Sequence, residues 1–331
     1  MSHEVDLVGP ALGLSVPDTV AVLETAALAP SVHNAQPWSF RTTPDVVELY
    51  ADPTRRMPVA DPDDQELRLG CGAALFNLRL ALTARGVRPG VELFPDPARR
   101  DLVAEVRRAG TAHATPELTR LLDAVPRRHT NRRPFTDAVV SAAERYALCR
   151  AAAEEGALLH VVPPAQRAEV GRLSVAAHRR QLADPAFRDE LLHWTGAEAD
   201  RPDGVPARAA GPAPAPHDRW VVRDFTGGTA RTRVPGRDAE DEPLLAALIP
   251  HVTGPAAEVR AGEAKQRVLL TATVDGLAVS FLSHLVEVPD VREELRRLVG
   301  AARPPVAVLR IGRGWPTTRT PRRPLADLIR P

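Results

Sequence analysis

Apolar positions along this chain recur at two spacings, and the switches between them mark out its elements. Over residues 18–28, Val20, Leu23 and Ala27 keep a helical period, with Asp18 as a suitable N-cap and Pro30 as an obligatory stop. Residues 38–42 and 46–51 then read as two strands joined by the turn Thr43-Pro44-Asp45. A long helix is predicted over 63–85. Leu67, Leu75, Leu78 and Leu82 carry its face, and Gly70-Cys71-Gly72 leaves one stretch bare. Small residues there let a helix or a ligand approach the backbone, at a cost of about 1 kcal/mol per helical glycine relative to alanine.

A second strand pair is expected at 87–94 and 102–107, followed by a helix from 116 to about 125. There the pattern restarts: helix 137–154, strand 158–162, helix 165–182 and a shorter helix to Trp194. Residues 201–217, dominated by Pro, Ala and Gly, have no apolar period and predict an irregular loop, either a linker or a lid over a pocket. Regular structure returns with strand 244–251, helix 256–275, strand 278–282, helix 289–299 and the apolar strand 306–311. Strand pairs mixed with helices argue for an α+β fold rather than a doubly wound parallel sheet.

Composition narrows the classes. A 331-residue chain with 44% hydrophobic residues can bury a sizeable core, and a formal charge of +1 provides no global field toward nucleic acid or an anionic membrane. No apolar run reaches a membrane-spanning length, and residues 1–17 contain no Lys or Arg and no apolar stretch of the kind that opens a secretory signal. Cys71 and Cys149 stand far apart, outside any Cys-x-x-Cys or zinc spacing, which fits free thiols in a reducing cytoplasm.

Two clusters carry candidate chemistry. In Ala29-Pro30-Ser31-Val32-His33-Asn34-Ala35-Gln36-Pro37-Trp38, Ser31, His33, Asn34 and Gln36 supply donors and acceptors between prolines that leave the loop little freedom to lose on binding. Local physics fits a ligand clamp and a polar helix-to-strand loop anchored by Trp38 equally well. The second cluster, Arg127-Arg128-His129-Thr130-Asn131-Arg132-Arg133-Pro134-Phe135, sets guanidinium forks beside a hydroxyl, suiting either a phosphate or a solvated basic linker. Other chemistries lack their motifs: no Gly-x-Ser-x-Gly elbow, Walker loop or His-Glu-x-x-His occurs, and Gly70-x-Gly72 lacks the third glycine of a dinucleotide fingerprint.

The order helix, Ala-Pro-Ser-x-x-Asn-x-Gln-Pro-Trp, strand resembles the FMN-binding loop of the nitroreductase superfamily. Together with the run at 69–73, the Arg127 to Phe135 segment, His193-Trp194-Thr195-Gly196 and Thr320-Pro321-Arg322-Arg323-Pro324, nearly the whole chain is similar to the Acg-like, actinobacterial branch. That resemblance implies a nitroreductase-like fold and FMN held by Pro30, Ser31, His33, Asn34 and Gln36 of the loop and by Arg128, Thr130 and Arg132 of an arginine arm. Gly276 and Leu277 resemble the family's Gly-Leu segment near the flavin ring, although a helix C-cap explains Gly276 equally well, and Arg322 and Arg323 resemble its terminal basic pair.

In the family the arm opens a subunit and meets the loop of a partner subunit. Here the arm follows the loop by roughly a hundred residues on one chain. The resemblance therefore implies an internally duplicated pseudo-dimer: a first half over 1–125 with the Pro-Ser loop, and a second over 126–331 with the arm and a lid at about 195–220. No basic arm precedes Asp18 and no second loop follows Glu154, so one FMN site per monomer is expected. The implied function is an oxidoreductase using NAD(P)H on nitroaromatic, quinone or specialised-metabolite substrates, with small aromatic molecules as partners. The alternative is a flavin-sequestering protein whose lid prevents turnover.

Overall fold

The computed structural model describes residues 7–197, 201–215, 218–221, 223–226 and 242–331. Helix α1 (Val16–Ala27) starts earlier than its apolar period suggests, because Ser15 is the N-cap: its Oγ accepts the Asp18 N–H and donates to the Asp18 carboxylate at 2.6 Å. Asp18 thus sits in the first turn, where a negative charge favours the helix dipole, and is not the cap. Strands β1 (Trp38–Thr42) and β2 (Val46–Ala51) match their predicted bounds, followed by α2 (Gln65–Ala84), β3 (Val87–Leu93), β4 (Leu102–Thr111) and α3 (Pro116–Ala124). The four strands form an antiparallel sheet in the order β1-β2-β4-β3.

Helix α4 (Ala142–Glu154) begins five residues after its predicted start at 137, because Ser141 and Glu144 make a reciprocal capping box and residue Thr136 is tied to Arg313 instead. Then follow β5 (Ala157–Val161), α5 (Pro164–Ala183), α6 (Pro185–Trp194) and a small parallel pair, β6 (Thr195–Ala197) with β7 (Val205–Pro206). That pair falls partly in the stretch expected to be irregular. Of that stretch, Pro216 and His217 lie outside the described residues. The chain resumes with β8 (Leu244–Pro250), α7 (Pro255–Val274), β9 (Ala278–Phe281), the single turn α8 (His284–Glu287), α9 (Pro289–Leu298) and β10 (Ala307–Gly312). The second sheet, β5-β8-β10-β9, is again antiparallel.

Replacing β1, β2, β3 and β4 by β5, β8, β9 and β10 converts one strand order into the other, so the fold is internally duplicated. The two copies meet through α2 and α7. Both helices have 20 residues, and Gly72 and Gly262 are each the eighth. A Cβ on Gly72 would strike the Val259 carbonyl and lie 2.9 Å from the Gly262 Cα; one on Gly262 would strike the Leu69 carbonyl and lie 2.9 Å from the Gly72 Cα. Reciprocal contact of this kind is the mark of a two-fold interface, here within one chain. It explains the bare stretch in the α2 pattern.

Each copy closes its own core, with Leu23, Trp38, Phe40 and Leu78 in the first and Leu159, Leu248, Leu269 and Leu309 in the second. Burying side chains of this size stabilises the fold by roughly 1.5–3 kcal/mol each. The copies differ in one connection. β1 reaches β2 through the turn 43–45, whereas β5 reaches β8 through residues 162–243, which carry α5, α6 and the β6–β7 pair. Among the described residues no helix is long and apolar enough to cross a membrane, and no group of His, Cys, Asp or Glu could hold a metal.

Candidate functional site

Pro30 ends α1, and the loop beyond it is held in a costly conformation. His33, Asn34 and Gln36 have φ of +45°, +59° and +53°, a region that non-glycine residues occupy at roughly 1–3 kcal/mol each. Hydrogen bonds fix it there. The Ser31 Oγ accepts the Gln36 N–H at 2.8 Å, and the Asn34 Nδ2 donates to the Gly204 and Pro321 carbonyls, each at 3.1 Å. The Asn34 Oδ1 accepts from the Arg322 guanidinium at 2.9 Å; the Gln36 Nε2 donates to the Pro202 carbonyl at 2.9 Å, while its Oε1 accepts the Arg323 N–H at 2.8 Å. Asn34 and Gln36 are therefore engaged with the protein itself, lashing the loop to the C-terminal segment and to residues 202–204.

Pro30, Ser31 and His33 face a cleft that is partly open to solvent. The opposite wall belongs to the other copy. There Thr130 bridges to Val279 of β9, the Asn131 N–H donates to the Val279 carbonyl at 2.9 Å, and Arg310 of β10 donates to the Arg133 carbonyl at 2.8 Å. Those bonds lay the arginine arm along the second sheet and bring Thr130 and Arg132 into the cleft. Arg132 donates to the Ala209 carbonyl at 3.1 Å and lies 5.0 Å from the centroid of the Phe225 ring.

Arg128 is different. It is 7% exposed, and its guanidinium has neither a hydrogen-bond nor an ion-pair partner among the described residues; its Nε is buried and unsatisfied. The nearby charges acting on it are those of Arg322, Arg132 and Arg319, all positive. Burial, with that repulsion added, pushes Arg128 down to about 9, and burial pushes Arg132 and Arg322 down to about 10. Neither Arg132 nor Arg322 has a carboxylate partner among the described residues. An uncompensated buried guanidinium is costly, and an anion at this position would relieve it.

Gly276 and Leu277 are not brought to the cleft. Gly276, at φ +68°, and Leu277 return their N–H groups to the Thr273 and Ala272 carbonyls and so close the C-terminus of α7. Leu277 belongs to the second core.

Several cleft residues had no place in the sequence reading. Glu66 of α2 and Lys265 of α7 meet at 3.8 Å with side chains 10% and 5% exposed. Burial raises Glu66 to about 7 and lowers Lys265. Lys265 is the only lysine in the chain, a signal that was visible in the composition. His33 and His284 are both pushed down to about 3, chiefly by burial. A roof comes from the long β5-to-β8 connection. Trp220, Val221, Arg223 and Phe225 cover the cleft, so the covering contacts run past residue 220, where the lid was expected to end. Trp220 joins the core of Val170, Leu173 and Leu282, and Arg223 pairs with Glu287 at 2.6 Å, both side chains at most 4% exposed.

Across 342 aligned residues the chain is 33% identical to "Putative NAD(P)H nitroreductase Rv3131" of Mycobacterium tuberculosis, spanning 99% of this chain and 97% of the relative. It is 30% identical over 326 residues to "Putative NAD(P)H nitroreductase acg" of the same organism, spanning 95% and 98%. No family model matches the sequence. Among solved structures, the FMN-dependent nitroreductase NfnB of Mycobacterium smegmatis, in complex with NADPH, aligns at a TM-score of 0.40 and 18% identity, covering 64% of this chain and 97% of that one.

Proposed function

We propose that this chain, which belongs to the Acg-like branch of the nitroreductase superfamily, binds one FMN between its two halves and uses it as an NAD(P)H-dependent oxidoreductase. The observation that carries this reading is Arg128, a buried cation whose guanidinium has no partner among the described residues, close enough to feel the charges of Arg322 and of Arg132, and Arg132 lines a cleft walled by both copies. A phosphate satisfies that cluster, and a planar heteroaromatic ring suits the cleft's mix of aromatic, hydroxyl and charged groups.

In this reading residues 1–125 contribute the loop and 126–331 the arm, so the chain acts as a monomer. Arg128, Arg132 and Arg322 hold the phosphate, with hydroxyls from Ser31 and Thr130 beside it. Pro30 and His33 bound the ring. Asn34, Gln36 and Arg323 position the loop, and Gly276 and Leu277 set where β9 begins. FMN supplies the two-electron chemistry when bound, so the protein needs no dedicated nucleophile. Substrates are small aromatic molecules of the nitro, quinone or specialised-metabolite type, and the unpaired Cys71 and Cys149 suit a reducing cytoplasm.

The roof supports a second reading, a protein that stores or sequesters flavin. Trp220 and Arg223 are anchored outside the cleft by apolar packing and by a buried ion pair, so uncovering it means breaking both. A visible spectrum of protein supplemented with FMN and gel-filtered, then exposed anaerobically to NADPH or NADH, tests both readings. Retained FMN that bleaches quickly supports the oxidoreductase, and retained FMN that neither nucleotide reduces supports sequestration. Absence of retained flavin overturns both.

A further inference from the structure

We propose that Glu66 and Lys265 form a proton-holding pair in the cleft, in which Glu66 takes up one solvent proton whenever two electrons enter the bound flavin. The proposal rests on the FMN reading above. Lys265 is the one lysine of a chain whose other basic side chains, among 43 Lys and Arg, are all arginine, and it is 4% exposed. Its ammonium has a single ion-pair partner, Glu66 at 3.8 Å, and neither side chain has a hydrogen-bonded partner elsewhere among the described residues.

The pair occurs on one side of the internal two-fold only. Glu66 is the second residue of α2 and Lys265 the eleventh of α7; counted from the same helix starts, the related positions in the other copy are Ala256 and Leu75. Leu75 is packed in the first core and Ala256 is exposed, so the related positions hold no buried charge. Replacing a buried ion pair by apolar groups is commonly neutral or stabilising, so charge kept here points to use. A lysine, unlike arginine, responds to its surroundings by changing its proton affinity, as does a buried carboxyl.

The charged groups facing the pair set its behaviour. Lys265 on α7, Asp61 before α2, Glu287 on α8 and Arg223 of the roof act on Glu66; Asp61 and Arg128 of the arm also act on Lys265. Burial holds Glu66 at about 7 with Lys265 opposing, which leaves the carboxyl poised to change state near neutrality. Reduction places two electrons and one proton on the ring, adding one negative charge to a buried site. A second proton, from solvent to the Glu66 carboxylate, restores the original charge, while Lys265 keeps its own proton throughout. The electrons come from NAD(P)H or a chemical reductant.

Two measurements test the pair. Proton uptake per FMN, followed at pH 8 during anaerobic dithionite reduction of wild-type, E66Q, K265M and K265R proteins loaded with FMN, should be about one proton higher in wild type and K265R than in E66Q. K265M should match E66Q, since without the opposing charge Glu66 stays protonated in both redox states. Equal uptake in wild type and E66Q overturns the proposal. Flavin-free protein labelled with [ε-15N]lysine presents one lysine side chain, and its resonance should show a step near pH 7 that E66Q lacks. A wild-type signal without that step overturns the pair even if FMN is never retained, whereas the step without FMN retention overturns only the flavin reading.

Discussion

The two copies share a sheet order and a helix crossing, yet they treat the passage from their first helix to their first strand differently. α1 reaches β1 through residues 28–37, three of them at positive φ, whereas α4 turns into β5 at Glu155-Gly156. The first copy spends backbone strain on a loop that faces the cleft. The second spends its long connection on a roof over that same cleft. Duplication has therefore produced one elaborated side rather than two equal ones, and the symmetric parts report on stability where the asymmetric parts report on function.

The symmetric part should break with the largest effect. Gly72→Val and Gly262→Val both drive a side chain into a backbone carbonyl, so each should cost more than about 3 kcal/mol, by a similar amount, in chemical denaturation. A large inequality would mean that the crossing is not two-fold. The asymmetric part comes next. Arg223→Met leaves Glu287 buried without its partner, a loss of about 3–5 kcal/mol. Hydrogen exchange should rise in residues 218–221 and 223–226 before it rises in either sheet, and NADPH should reduce bound FMN faster than in wild type.

Arg128→Leu sharpens the comparison by separating binding from stability. Removing one charge-assisted contact should weaken FMN retention by about 10- to 150-fold, the equivalent of roughly 1.5–3 kcal/mol, measured by equilibrium dialysis. The flavin-free variant should melt no lower than wild type, because it loses a cation that has no partner.

Acid sensitivity is a further, distributed effect. His33 and His284 are held neutral at about 3 from an ordinary 6.5, so the unfolded chain binds these protons first. Their stabilisation is complete above pH 6.5 and drains between there and about 3. At pH 5 it should amount to a loss of about 2 kcal/mol per histidine relative to pH 7, seen as a falling melting temperature that H33N/H284N flattens.

The regular elements were legible because each half-buried helix or strand writes its period into adjacent residues; the bounds of β1 and β2 are an example. Caps were less so, since Ser15 and Ser141 act through local hydrogen bonds to residues three positions on, which no apolar period records. β6 and β7 are too short to hold a period. In the site, the loop and arm were visible as clusters, but Asn34 and Gln36 find partners some 166 to 288 residues away, in residues 202–204 and 320–323, and no local pattern encodes that. Glu66 and Lys265 meet only because two glycines let their helices approach.

The most direct test of the account is the flavin stoichiometry of the chain at its native mass. Sedimentation equilibrium with detection at both 280 nm and 450 nm on FMN-loaded protein should give one FMN on a 35.7 kDa monomer. Flavin carried only by a dimer, or two flavins per chain, would contradict a single composite site built within one chain.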